Sequence, residues 1–294
     1  MRWVAGWMVV LVPGFAVAQT PETEAAIKAR LETLKYVGGL YDSTAGAFKM
    51  TADAKPGLRA TLAGIRATKY LGGKVSEPEK LTEFVLNCYD PTTGGFAEPG
   101  GKPDVATTAV GVMAAVELSI PKTKFPNAMT FLRVNAKTFE DVRIAAAGVE
   151  AWGVKEVPFK LVSWFGIASN AYLERLQADN RNGEARDMGS YLAFNLRLGR
   201  RQEDEVQGLT KVIHDGQRAD GAWEKTGEKT SDLETTYRVM RALYLSKQKP
   251  KDVAKLREFL AKCRNADGGY GVAPGAPSNA SATYYAAIIL KWLE

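Results

Sequence analysis

Six helical hairpins closed into an all-α toroid, an α/α toroid with an inner and an outer ring of helices, is the fold this sequence predicts. Three observations predict it. A glycine-rich turn ending in an aromatic recurs as Gly46-Ala47-Phe48, Gly94-Gly95-Phe96, Gly221-Ala222-Trp223 and Gly268-Gly269-Tyr270. Each is followed some thirteen residues later by threonine in an apolar run: Thr61, Thr107-Thr108, Thr235-Thr236 and Thr283. Phe48 and Phe96 lie 48 residues apart and Trp223 and Tyr270 lie 47 apart, a period that marks stacked supersecondary units. Six units of about 45 residues account for the chain.

The first eighteen residues stand outside that array. Arg2 precedes a nearly continuous apolar stretch, Trp3 to Val17, and Ala16-Val17-Ala18 before Gln19 has the small-x-small form of a signal-peptidase site. Residues 1–18 are expected to be a cleaved signal peptide and residues 19–294 the toroid domain, so the mature protein is expected outside the cytoplasm, periplasmic or secreted. The stretch is short for a membrane span, which needs about 20 residues. No later segment is long and apolar enough to cross a bilayer.

Within a unit the spacing is helical. Ser76-Glu77-Pro78-Glu79 reads as an N-cap, an early proline and a capping box, with Leu81, Phe84, Val85 and Cys88 on one face. Asp90 to Gly95 then breaks the helix, and a second helix from about Asp104 to Leu118 is apolar on nearly every side, as a buried helix must be. The last unit repeats the plan, with an amphipathic helix over Lys251 to Ala261, a turn over Asn265 to Gly269, and an apolar helix over Ser281 to Leu293. Two degraded units span Phe139 to Trp152 and Trp164 to Leu198, the latter with Asn182-Gly183 as its turn.

Net charge is +6, from 39 Lys and Arg against 33 Asp and Glu, and the basic residues are scattered, which argues against a nucleic-acid surface. Cys88 and Cys263 occupy nearly the same place in two units, which suits a small buried residue at a helix end better than a disulfide. The one histidine, His214, excludes a multi-histidine metal site.

Phe84-Val85-Leu86-Asn87-Cys88 through Gly94-Gly95-Phe96-Ala97-Glu98-Pro99-Gly100 resembles a repeat of the protein prenyltransferase β subunits. Phe259-Leu260-Ala261-Lys262-Cys263 through Gly268-Gly269-Tyr270 and Pro274-Gly275 is similar, nearest to the Rab geranylgeranyltransferase β subunit. Gln217 through Trp223 is similar to the Gln/Trp repeat of squalene and hopene cyclases. This superfamily resemblance implies a toroid with a central apolar cavity and, in an active member, prenyl transfer. In the β subunits a zinc ion held by an Asp-x-Cys and a His activates the acceptor thiol. Aligned on the glycine turns, the aspartate falls on Asp232, the cysteine on Glu234 and the histidine on Ala282. Two of three ligands are replaced, and a catalytic zinc needs three, so no metal and no other cofactor is expected. The family's diphosphate-binding lysine falls on Lys229, its arginine on Thr226 and its tyrosine on Thr235. The Asp-x-Asp-Asp acid of the cyclases has no counterpart, and Glu203-Asp204-Glu205 reads as a solvated helix start.

Three functions are compatible with these residues. The first is an isoprenoid-binding toroid, as a binding protein or as a prenyltransferase-type transferase, with a lipid or isoprenoid as its partner. Phe96, Trp152, Trp164, Trp223, Tyr237, Tyr284 and Tyr285 are its candidate cavity wall, and Lys229, Trp223, Tyr237 and Tyr284 its candidate ligand contacts. The second is a carbohydrate-active enzyme, which needs two carboxylates roughly 5–10 Å apart; Asp104, Asp232 and Glu234 lie at the starts of inner helices, with Asp232 and Glu234 the catalytic candidates. The third is a non-catalytic scaffold for an envelope protein. Cavity polarity separates them: an apolar hole, two facing carboxylates, or a filled centre. Asp104 and Asp232 also suit N-caps, whatever the function.

Overall fold

The computed structural model describes residues 23–178, 183–225 and 227–294. The expected signal peptide, Asn182 and Thr226 lie outside them. The described residues form twelve α-helices in six pairs. The pairs are α1 (Glu24–Gly39) with α2 (Leu58–Tyr70), α3 (Pro78–Asn87) with α4 (Val105–Glu117), and α5 (Ala128–Asn135) with α6 (Phe139–Trp152). The chain continues through α7 (Val162–Gln177) and α8 (Glu184–Arg197), α9 (Glu203–Asp215) and α10 (Leu233–Ser246), then α11 (Val253–Cys263) and α12 (Ala280–Trp292). The second helix of each pair packs on the second helix of the next, and α12 returns to α2, so the inner ring is closed.

Burial separates the layers. In α4 every residue from Thr107 to Ala115 is buried, whereas α9 buries only Val206, Leu209, Thr210 and Ile213, one stripe at the helical period. Cys88 and Cys263 are buried free thiols at the ends of α3 and α11.

The recurring threonine has a defined task. The amide of the turn aromatic donates to it: Phe48 N to Thr61 Oγ1 at 3.1 Å, Phe96 N to Thr108 Oγ1 at 2.9 Å, Trp223 N to Thr236 Oγ1 at 3.3 Å and Tyr270 N to Thr283 Oγ1 at 3.0 Å. In three of these the hydroxyl donates in turn to the carbonyl four residues back, at 2.7–2.8 Å from Gly57, Asp232 and Asn279. Each turn is thereby clasped to the inner helix of its own unit. A two-stranded sheet, β1 (Tyr41–Asp42) on β2 (Ala47–Phe48), and isolated bridges such as Tyr89–Phe96 tighten these turns.

The turn glycine makes the contact to the next unit. Gly221 has φ 88°, and a Cβ there would lie 2.2 Å from the Lys255 carbonyl carbon on α11. Gly268, φ 87°, meets Glu32 on α1 in the same way, at 2.6 Å from its carbonyl oxygen, so the last turn seats the first helix. Thr33 Oγ1 donates to Gly268 O at 2.8 Å across the same junction, and Ala280 N to Met50 O at 2.9 Å beside it.

Two local readings are corrected. Ser76 does not cap α3: Pro78 is the first helical residue, which makes Glu77 the N-cap, with φ 45° and no side-chain capping bond. Glu77 pairs with Lys80 at 2.7 Å instead. The helix placed over Lys251 to Ala261 begins later, at Val253, because the Asp252 carboxylate takes the Lys255 amide at 2.9 Å.

Removing the clasp tests this account. Thr236→Val keeps the shape and leaves the Trp223 amide buried without a partner, which should cost about 1–3 kcal/mol. Thr236→Ser should retain most of the stability. Denaturant unfolding of both variants reads the difference; equal stability would mean the hydroxyl contributes nothing.

Candidate functional site

The inner helices enclose a cavity of about 110 Å³ around the ring axis. Five of the six carry a side-chain cap at the N-terminus, α8 with Gly183 being the exception: Asp104 Oδ1 accepts from Thr107 N at 2.7 Å, Asp232 Oδ1 from Thr235 N at 2.8 Å, and Asn279 Oδ1 from Ala282 N at 2.9 Å. Thr138 and Asp141 form a reciprocal capping box on α6. For α2, where Gly57 offers no side chain, Glu98 reaches over from the next unit and accepts from Leu58 N at 2.6 Å and Arg59 N at 3.0 Å.

The wall of the cavity is part apolar and part cationic. Leu62, Val110, Met113, Ile144 and Phe194 supply the apolar part. Six arginines supply the rest: Arg59 and Arg66 on α2, Arg143 on α6, Arg197 on α8, and Arg238 and Arg241 on α10. Four glutamates reach them. Glu117 lies 3.0 Å from Arg66 Nε, Glu150 lies 3.1 Å from Arg197 Nε, Glu140 lies 2.8 Å from Arg143 and 3.0 Å from Arg238, and Glu234 lies 2.7 Å from Arg238. Burial raises the Glu140 carboxyl, but Arg143 and Arg238 outweigh it and hold it below the usual carboxylate range. Burial and the Arg241 guanidinium lower the pKa of Arg197, and burial and Arg238 lower that of Arg143, as expected where cations crowd in a poorly solvated space.

Arg241 is held differently. Its guanidinium carbon lies 4.7 Å over the Trp292 ring, Nη2 donates to Tyr237 Oη at 3.2 Å, and Nε has no hydrogen-bond partner. Among the described residues no carboxylate stands within ion-pair distance of it.

The tyrosines expected at the cavity are there. Tyr237 and Tyr284 join their hydroxyls at 3.0 Å, and Tyr285 stacks on Tyr237 with ring centroids 4.6 Å apart. The other aromatics are placed differently from the expectation. Trp223 is wholly buried and donates its indole N–H to Ile213 O at 2.9 Å, filling the core beneath α9 instead of facing the cavity. Phe96 and Trp152 pack on Phe125, and Trp164 packs on Phe159, all away from the wall. Lys229 is exposed on the loop before α10, its carbonyl accepting from Arg218 at 2.7 Å, and it does not line the cavity. Glu234 is half-exposed and engaged by Arg238, while Ala282 is buried and brings no donor atom. Among the described residues, none of those lining the cavity is an aspartate or glutamate.

The arginines were missed in the sequence, although a signal existed. Arg59 and Arg66 lie seven residues apart, two turns of one face, within a helix whose neighbouring positions are buried.

Residues 3–139 and 192–294 match the family model of the prenyltransferase α/α-toroid domain, and the chain belongs to that family. No curated protein matches the sequence. Among solved structures, Candida albicans protein geranylgeranyltransferase-I complexed with GGPP is similar over 90% of both chains, with TM-score 0.64 and 13% identity. Likeness at that identity speaks for the fold.

The capping role of Asp232 has a direct test. Asp232→Ala should cost about 1 kcal/mol, and Asp232→Asn little, because asparagine also caps. Thermal unfolding of the pair checks this. Equal stability of both with wild type would show the cap to be dispensable.

Proposed function

We propose that this toroid binds an amphiphilic oxyanion in its central cavity, a short isoprenoid-like chain with a diphosphate headgroup, without zinc-dependent thiol activation. The observation that carries this reading is the six-arginine wall beside apolar Leu62, Val110, Met113 and Ile144. Guanidinium groups recognise phosphate oxygens by bidentate charge-assisted bonds. An apolar ligand alone would leave Arg241, which no carboxylate reaches among the described residues, desolvated and unanswered, which is costly. The free volume of about 110 Å³ lies below the ~300–1,000 Å³ common for small-molecule sites, which favours a short chain over a long one.

The zinc of the β subunits has no fitting donor set at the aligned positions. Asp232 spends an oxygen on its helix cap, Glu234 answers Arg238, and Ala282 has no donor. Among the described residues no pair of carboxylates lines the cavity, so glycoside chemistry has less support. With an expected signal peptide ahead of the domain, the ligand would be met outside the cytoplasm.

Calorimetry with a series of diphosphates tests the reading. Geranyl diphosphate should bind more tightly than geranylgeranyl diphosphate. Arg241→Gln should weaken it roughly ten- to hundredfold, the loss of one bond to a charged group worth about 1.5–3 kcal/mol. No binding of any member, or equal binding by Arg241→Gln, would remove the proposal.

A further inference from the structure

Within the cavity two phenols meet, and their hydrogen bonds do not balance. Tyr237 Oη and Tyr284 Oη lie 3.0 Å apart, so one donates to the other. Beyond Tyr237 stands Arg241 Nη2 at 3.2 Å, and beyond Tyr284 stands Arg66 Nη1 at 3.3 Å. A guanidinium offers donors and no acceptor. Two neutral phenols bring two protons; one sits between the oxygens, and both flanking groups can only donate. The second proton has no acceptor among the described residues.

The surrounding charges act in the same direction. Arg241 on α10, Arg197 on α8 and Arg66 on α2 surround the pair, with Arg143 on α6 across the cavity. The carboxylates that face it from other elements are already engaged: Glu150 on α6 by Arg197, and Glu117 on α4 by Arg66 and by Lys69 at 2.9 Å. Tyr70 stacks on Tyr284, and Tyr285 on Tyr237, so the remaining neighbours are neutral rings. Burial opposes ionisation of Tyr237, but Arg241, Arg197 and Arg66 outweigh it and bring its pKa well below that of a free phenol. Burial, and then Tyr237 itself, push Tyr284 the other way. Either hydroxyl can donate to the other; with Tyr237 ionised, Tyr284 is the donor.

We propose that the Tyr237–Tyr284 pair holds one phenolic proton when the cavity is empty, Tyr237 acting as built-in counter-ion to Arg241, and that an oxyanion ligand takes over this role. One proton then enters the pair from solvent for each anion bound. This rests on the cavity being an oxyanion site, as argued above. A bound oxyanion beside Arg241 would face the phenolate at close range; protonation removes that repulsion and turns Tyr237 into a donor to the ligand, supplying the acceptor that the second proton lacks. Linkage then makes affinity fall about tenfold per pH unit above the titration of the pair.

Two measurements test this without any lipid. In the ligand-free protein the near-ultraviolet absorbance of tyrosinate is followed against pH. One tyrosine should ionise well below the free-phenol value of about 10. That phase should vanish in Tyr237→Phe, which removes only the hydroxyl, with circular dichroism confirming an unchanged fold. Inorganic sulfate, whose charge is constant over this range, is then titrated calorimetrically at a pH above that phase, in two buffers of different ionisation enthalpy. Uptake of about one proton per sulfate is expected in wild type and none in Tyr237→Phe. Absence of the early phase, its survival in Tyr237→Phe, or sulfate binding without proton uptake would each overturn the inference. None of these depends on chain recognition. Failure of every isoprenoid diphosphate to bind, with sulfate-linked proton uptake intact, would sink the isoprenoid reading and leave this one standing.

Discussion

A single hydrogen bond organises the ring: the amide of the turn aromatic given to a threonine hydroxyl one helix later. The hydroxyl is buried, so the bond is dry and its loss is felt in full. It fixes the distance between turn and inner helix, and the adjacent turn glycine then fixes the distance to the next unit. Four such clasps, at Thr61, Thr108, Thr236 and Thr283, hold the first two and last two units in register. The two units between them are joined by other means. There α5 runs into α6 through three residues, and Thr138 with Asp141 caps the entry. Because α12 must meet α2, small errors in each unit would add around the ring; rigid turns keep the sum small enough to close.

Closing the ring brings six inner helices face to face, and whatever they point inward shares one poorly solvated space. Small residues there, Ala63, Ala147 and Ala193, let the helices approach. The arginines occupy the space that remains. Their long stems pack along apolar walls while their guanidinium groups gather near the axis. Glu117, Glu140, Glu150 and Glu234 answer part of this charge from neighbouring helices, and the aromatic rings of Trp292 and Tyr237 answer part of the rest. Six arginines against four glutamates leave the cavity with surplus positive charge.

Asp232 and Glu234, which the resemblance aligns with zinc ligands, both have structural partners here. Asp232 sits where the inner helix of the fifth unit begins and accepts from the Thr235 amide there. Glu234, one helical turn before Arg238, belongs to the electrostatics of the wall.

How much of this was legible beforehand differs between fold and site. The repeat period, the glycine turns and the alternation of amphipathic with apolar helices determined six hairpins and which helix of each is inner, because those features are local and set by backbone sterics and burial. Helix starts slipped by a residue or two, at Ser76 and Lys251, where proline and a competing cap decide the boundary. Aromatic identity alone could not say that Tyr237 and Tyr284 face the axis while Trp223 faces the core, since all three lie in or beside helices buried on most sides. The arginine wall was decided only by the tertiary structure. Arg66, Arg143, Arg197 and Arg241 are spread over 176 residues of chain and look like ordinary surface charges one at a time. Ring closure brings them together, and the contact of the Tyr237 and Tyr284 hydroxyls between Arg241 and Arg66 exists only because helices from the fifth and sixth units meet a third from the first.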